Sequence, residues 1–143
     1  MISSKNIHGT ALAIEDSGLL ILGPSGSGKS DLALRLIDSG ATLVADDITI
    51  CKRENNEIFM FCDDSIKGII EVRGIGLVKV PYVEGIKLKM VIKLIDQKIE
   101  RFPLEKEFYK LLSIKKPLIK INPKELSANA KIKLKLFELK NGL

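Results

Sequence analysis

Gly23-Pro24-Ser25-Gly26-Ser27-Gly28-Lys29-Ser30 fits the pattern G-x-x-x-x-G-K-[ST] at every fixed position. It stands between a short apolar run and a helix-spaced one. No other feature constrains the fold as strongly, because such a loop works only where a buried strand delivers it to the N-terminus of a helix. Leu19-Leu20-Ile21-Leu22 is wholly apolar, as a strand covered on both faces must be. Beyond the loop, Ser30–Ser39 places Leu32 and Leu36, with Ala33 and Ile37, at helical spacing, and Gly40 stands where a C-capping glycine belongs. Thr42-Leu43-Val44-Ala45 then reads as a second apolar strand ending at Asp46-Asp47. Strand, loop, helix, strand is a βαβ unit with parallel strands. The predicted fold class is α/β, a nucleotide-binding core with a mixed sheet.

Glycines let the loop turn tightly and aim several N–H groups at one anion. The helix adds its positive end at the same point. Lys29 supplies a mobile charge for the outer phosphates of a nucleoside triphosphate, and Ser30 a hydroxyl for Mg2+. Four fixed positions matched by chance are expected in about one chain in two hundred of this length, before the strand and helix context is counted.

Around this unit the chain reads mostly as β structure. Residues 10–14 form a strand, followed by turn chemistry at Glu15-Asp16-Ser17-Gly18. Ile48–Lys52 and Ile58–Cys62 form a hairpin around Glu54-Asn55-Asn56, across which Cys51 and Cys62 could face each other. Ile66–Val80 sets Gly68, Gly74 and Gly76 among β-branched residues, and Lys87–Ile95 is a further strand. Glu105–Leu112 reads as a short helix. In Ser127–Leu139 the stretch 132–136 alternates like a strand, but Ser127 suits an N-cap and the length favours a helix. We expect a single domain over residues 1–143.

Composition narrows the function classes. Hydrophobic residues make up 45% of the chain, enough for a folded core. No apolar run approaches the roughly 20 residues that span a bilayer, and Met1–Asn6 lacks a signal-peptide core. The expected address is the cytoplasm, with no membrane partner. The two cysteines and one histidine lack metal-ligand spacing. Charge is uneven: residues 1–83 carry 8 Lys/Arg and 11 Asp/Glu, residues 84–143 carry 15 and 7. The lysines of the basic part alternate with apolar residues, as on a solvated surface. Few aromatics and no nucleic-acid motif argue against nucleic acid as a partner.

Asp46 and Asp47 follow a strand at the end of an open sheet where ligands sit. One could hold Mg2+ and the other accept a proton from an attacking hydroxyl. Adjacent residues on an extended chain point to opposite faces, so the two cannot share a role. Glu71 and Arg73, two apart, could pair on the surface or line a site. His8 and Arg101 are open on spacing alone.

Together, His8-Gly9, the loop Gly23–Ser30, Ala45-Asp46-Asp47 and Ile70-Glu71-Val72-Arg73-Gly74-Ile75-Gly76 resemble the C-terminal catalytic domain of HPr kinase/phosphorylase over about residues 5–105. The resemblance implies an ATP- and Mg2+-dependent kinase that phosphorylates a serine of HPr, a phosphocarrier of the bacterial sugar phosphotransferase system. It also implies a core related to phosphoenolpyruvate carboxykinase, and a homo-oligomer, often a hexamer. By position, Asp46 would be the general base with His8 beside it, and Ser30, Asp47 and Glu71 would lie on the metal side. Lys29 would bind phosphate, Arg73 would line the site, and Arg101 would lie near the transferring phosphate. The chain starts at the catalytic domain and is expected to be a short form of the family. Pro117–Pro123 is a poor match to the family's basic loop, which leaves the phosphorylase direction open. The alternative functions are another P-loop NTPase and a nucleotide-binding regulatory module.

Overall fold

The computed structural model describes residues 3–102 and 105–142. Met1, Ile2, Pro103, Leu104 and Leu143 lie outside them.

The order of elements is β1 (Ser4–His8), β2 (Thr10–Ile14), β3 (Ser17–Leu22), α1 (Lys29–Asp38), β4 (Thr42–Ala45), β5 (Ile48–Glu54) and β6 (Glu57–Phe61). A 3-10 turn at Asp64–Ile66 leads to β7 (Ile69–Val72), β8 (Gly76–Lys79), β9 (Ile86–Leu94), β10 (Glu107–Leu111), β11 (Ile114–Ile121) and α2 (Ala128–Lys140). The main sheet is mixed and runs β1-β5-β6-β9-β3-β2-β4, and β11 joins β9 with β10 outside it. The early part of β9 pairs antiparallel with β6, while its later part lies parallel to both β3 and β11. β7 and β8 form a separate hairpin.

Side-chain alternation along β3 explains the layering. Leu19 and Ile21 join a cluster with Leu32 and Leu36 of α1, Ile132 and Leu136 of α2, and Ile70 and Val72 of the β7–β8 hairpin. Leu20 belongs to a second cluster with Val44, Cys51, Ile58, Met60, Leu88 and Val91. The strand is therefore buried on both faces, which is why it reads as an unbroken apolar run. The sheet curls so that β5 and β6 close over the second cluster.

Helix α1 ends as its sequence dictates. Gly40 takes φ 114°, its N–H reaches the Ile37 carbonyl at 3.0 Å, and the Ala41 N–H reaches that of Leu36 at 2.9 Å. This is the paired 5→2 and 6→1 bonding of a Schellman end. At α2 the Ser127 hydroxyl makes no capping bond, although Ser127 holds the N-cap position.

β3 and β4 are parallel, as the βαβ reading expects, with β2 lying antiparallel between them. Two expectations are corrected. The segment expected as a helix, Glu105–Leu112, forms strand β10 instead, paired in a hairpin with β11. Its turn is Leu112-Ser113, both at positive φ (50° and 65°), the backbone of a tight type I′ connection usually made by Asn or Gly. Nothing in Leu-Ser announces such a turn. Finally, Cys51 faces Met60 across the β5–β6 hairpin, not Cys62. Both cysteines are free and buried in one apolar cluster. Among the described residues no helix is long and apolar enough to cross a membrane.

Candidate active site

The glycine loop, residues 23–28, joins the end of β3 to the first residue of α1. Gly26 and Gly28 take φ of 80° and 102°, a region that side chains resist. The Lys29 side chain turns back over the loop, and its Nζ donates to the Gly23 carbonyl at 2.6 Å and the Pro24 carbonyl at 3.1 Å. Lys29 is only 7% exposed, so the ammonium is held within the loop. The Ser27 hydroxyl is buried there without a hydrogen-bond partner among the described residues. A loop that concentrates a lysine, the amino end of a helix and a buried unpaired hydroxyl fits a phosphate group.

One residue further, the Ser30 hydroxyl donates to Asp46 Oδ1 at 2.8 Å. The same carboxylate accepts from the Thr10 hydroxyl at 3.2 Å, and its Oδ2 accepts from the Glu71 backbone N–H at 3.0 Å. Asp46 thus ties together α1, β2 and β7. Among the described residues no three His, Cys, Asp or Glu side chains converge on one point. The hydroxyl–carboxylate pair Ser30–Asp46 nevertheless suits Mg2+, which takes one or two carboxylates and completes its shell with water and substrate phosphates.

Asp47 turns the other way. Its side chain is 69% exposed, and Oδ1 lies 2.8 Å from Nε2 of His8. The divergence is enforced by the backbone: Asp47 has φ 72°, and the Ile48 N–H closes a three-residue turn onto the Asp46 carbonyl at 2.9 Å. A γ-turn of positive φ is the rare and strained hand, and strain of this kind concentrates where side chains must be aimed. The turn is fastened to the β1–β2 corner: the Gly9 N–H donates to the Asp47 carbonyl at 2.8 Å, and the Thr49 hydroxyl to the Gly9 carbonyl at 3.0 Å.

The predicted site residues are therefore only partly reassembled. Gly23–Ser30, Asp46, Asp47, His8 and the Glu71 backbone meet at one end of the sheet. One placement differs from what the resemblance implies: His8 pairs with Asp47 rather than lying beside Asp46. Ser30, expected on the metal side with Asp47 and Glu71, donates to Asp46. Arg73 is exposed in the turn after β7. Arg101 lies in the segment after β9 with its guanidinium over the Phe102 ring, 5.6 Å from the centroid. The root of the β7–β8 hairpin is fixed by Lys67, whose Nζ lies 2.5 Å from Asp64 Oδ1 and 2.7 Å from Glu84 Oε1. Asp64 and then Glu84 hold that lysine above its ordinary pKa range.

Sequence reasoning missed Thr10. The signal available was its position: a polar residue on the same face as the core residue Leu12 must find a hydrogen-bond partner when buried.

The chain matches the family model described as the HPr Serine kinase C-terminal domain over residues 1–132. It is 33% identical to an HPr kinase/phosphorylase of Geobacter sulfurreducens over 133 residues, covering 85% of this chain and 42% of that protein. It is 36% identical to one of Cupriavidus metallidurans over 126 residues, covering 80% of this chain and 39% of the other. The chain thus spans about two fifths of the length of these curated relatives. Its fold is similar to the solved Hpr(Ser) kinase/phosphatase of Coxiella burnetii, with a TM-score of 0.83 and 30% identity, covering 97% of this chain and 99% of that one.

Proposed function

The chain belongs to the family of the HPr serine kinase C-terminal domain, and from that premise we propose that it is an ATP- and Mg2+-dependent kinase for a serine of an HPr-type phosphocarrier protein. The observation that carries the reading is the split of the aspartate pair beside the glycine loop, Asp46 bonded to Ser30 and Asp47 to His8. A kinase of this kind has little covalent chemistry to perform. It must hold the phosphates, bind the metal and place a base at the acceptor hydroxyl.

In this reading the core is a P-loop fold related to phosphoenolpyruvate carboxykinase. The N–H groups of Gly23–Ser30 and the Lys29 ammonium cradle the phosphates. Ser30 and Asp46 hold Mg2+. A bound Mg2+ supplies charge neutralisation at the phosphate oxygens. Asp47, exposed and oriented by His8, accepts the proton of the acceptor serine as its oxygen attacks the γ-phosphorus and the bond to the β-phosphate oxygen breaks. In the reverse direction an oxygen of inorganic phosphate would attack the phosphoserine phosphorus, the bond to the serine oxygen would break, the protonated Asp47 would return its proton to that oxygen, and pyrophosphate would leave. This division exchanges the roles of the two aspartates relative to the resemblance, and the hydrogen bonds favour it. Glu71 and Arg73 border the metal side and Arg101 approaches the transferring phosphate. The protein acts in the cytoplasm as a homo-oligomer.

The test is transfer of labelled γ-phosphate from ATP to a purified HPr-type carrier by wild type, Asp47→Asn and Asp46→Asn, with Mn2+ binding followed in parallel. We expect transfer by wild type, loss of transfer with metal binding kept in Asp47→Asn, and weakened metal binding in Asp46→Asn. The converse pattern restores the base role to Asp46. A wild type that binds ATP yet leaves the carrier unlabelled refutes the carrier-kinase reading and favours a regulatory module or another NTPase.

A further inference from the structure

We propose that Thr10 is a positioning residue that sets the two aspartates to their separate tasks, an inference that rests on the kinase reading above. Thr10 is fully buried, at 0% exposure, at the first position of β2. Its hydroxyl donates to Asp46 Oδ1 at 3.2 Å and accepts, over a longer 3.4 Å, from the backbone N–H of Asp47. One oxygen therefore touches the carboxylate of the first aspartate and the amide of the second. These contacts act on the two things that distinguish the pair: where the Asp46 carboxylate points, and which way the backbone turns at Asp47.

The Asp46 carboxylate is held at three points: Oδ1 by the Ser30 and Thr10 hydroxyls and Oδ2 by the Glu71 N–H. Of these donors, the Thr10 hydroxyl is the one that also accepts from the Asp47 N–H, so it couples the first carboxylate to the second residue's backbone. The Asp47 N–H sits inside a turn of positive φ, where the strained backbone needs outside bonds to persist. It receives them from the Gly9 N–H, which grips the Asp47 carbonyl, and from Thr10, which grips its amide. The sequence His8-Gly9-Thr10 thus delivers three consecutive contacts to one corner: a side chain to the Asp47 carboxylate, a backbone N–H to its carbonyl, and a hydroxyl shared between the pair. Thr10 touches neither phosphate nor acceptor in this arrangement. It works through Asp46 and Asp47.

Valine has the shape of threonine without the hydroxyl, so Thr10→Val separates hydrogen bonding from packing. Serine keeps the hydroxyl and drops the methyl group. Mn2+ binding by the protein is read by electron paramagnetic resonance of free Mn2+ in titrations with and without protein at the same concentration of a non-hydrolysable ATP analogue, so that Mn2+ held by the nucleotide alone is subtracted, on protein shown folded by circular dichroism. Outer-shell partners of metal ligands typically change affinity or activity by roughly 10- to 100-fold. Thr10→Val is expected to weaken Mn2+ within that range, with kcat for phosphoryl transfer lowered alongside, and Thr10→Ser to return both to within about threefold of wild type. Mn2+ binding by Thr10→Val equal to wild type overturns the proposal and leaves Thr10 a packing residue. Equal loss in both variants also overturns it, because it assigns the effect to the methyl group. A wild type that binds no Mn2+ with nucleotide refutes the kinase reading itself, and this proposal with it.

Discussion

The ammonium of Lys29 donates to the carbonyl of Gly23, six residues back, at 2.6 Å, so the lysine closes over the loop that precedes its own helix. The charge is held where phosphate oxygens would be gathered. Lys29→Met keeps most of the stem's length and apolar character and removes the charge. We expect Mg2+–ATP affinity to fall at least about tenfold, equivalent to about 1.4 kcal/mol, measured by isothermal titration calorimetry. Undiminished affinity would show that the loop amides alone hold the nucleotide.

The metal arm of the site gives a second prediction. Ser30→Ala deletes the hydroxyl that bonds Asp46 Oδ1 at 2.8 Å. Nucleotide binding in EDTA should change little, since the loop and Lys29 are intact. The added affinity conferred by Mg2+ should shrink by about tenfold or more. Titrations with and without Mg2+ separate the two terms, and an equal loss in both would place Ser30 among the phosphate contacts only.

Much of this arrangement could be read from the chain, and the part that could not has a physical cause. The strands β2, β3, β4 and β9 and the helix α1 announce themselves because they are apolar runs or stripes bounded by glycine and turn residues. β1 was invisible: in Ser-Lys-Asn-Ile-His only Ile7 is buried, and the strand exists because β5 offers it a partner. β10 was misread because Phe108, Leu111 and Leu112 fall at helical spacing, while the turn that makes the hairpin is an unusual Leu-Ser pair. The loop and both aspartates were legible as a constellation. Which aspartate meets Ser30 was not, because that depends on a positive φ at Asp47 held by bonds from Gly9 and Thr10, nearly forty positions away.

The buried thiols supply a prediction for alkaline pH. Burial pushes the Cys51 pKa up from 9.0 to about 12, and burial together with Glu84 raises that of Cys62. A thiol whose pKa is higher in the folded than in the unfolded chain stays protonated when folded and ionises when unfolded. Stability is therefore unaffected below about pH 9 and is lost progressively between about 9 and about 12. Urea unfolding at pH 8 and pH 10 should show a lower midpoint at pH 10 in wild type and a smaller drop in Cys51→Ala. Equal drops in both would assign the alkaline loss to other groups, such as Tyr109, whose pKa burial also raises.

The last prediction concerns the corner that follows β11. Arg35 donates to the Pro123 carbonyl at 2.7 Å, and the Pro123 ring lies 3.5 Å from where a side chain on Gly28 would begin. Beside it, Asn122 Nδ2 donates to the Gln97 carbonyl at 3.1 Å, while its Oδ1 accepts from the Lys124 N–H at 3.0 Å. The corner therefore touches the glycine loop on one side and, on the other, the segment that carries Arg101. Asn122→Asp preserves the acceptor for Lys124 but sets an anionic oxygen against the Gln97 carbonyl, so it cuts one link and keeps the turn. If Arg101 approaches the transferring phosphate, the variant should lower kcat several-fold and leave nucleotide KM nearly unchanged. Combined with Arg101→Ala it should add little, because residues coupled through a shared segment are non-additive. Full additivity in that double-mutant cycle would mean that the corner and Arg101 act independently.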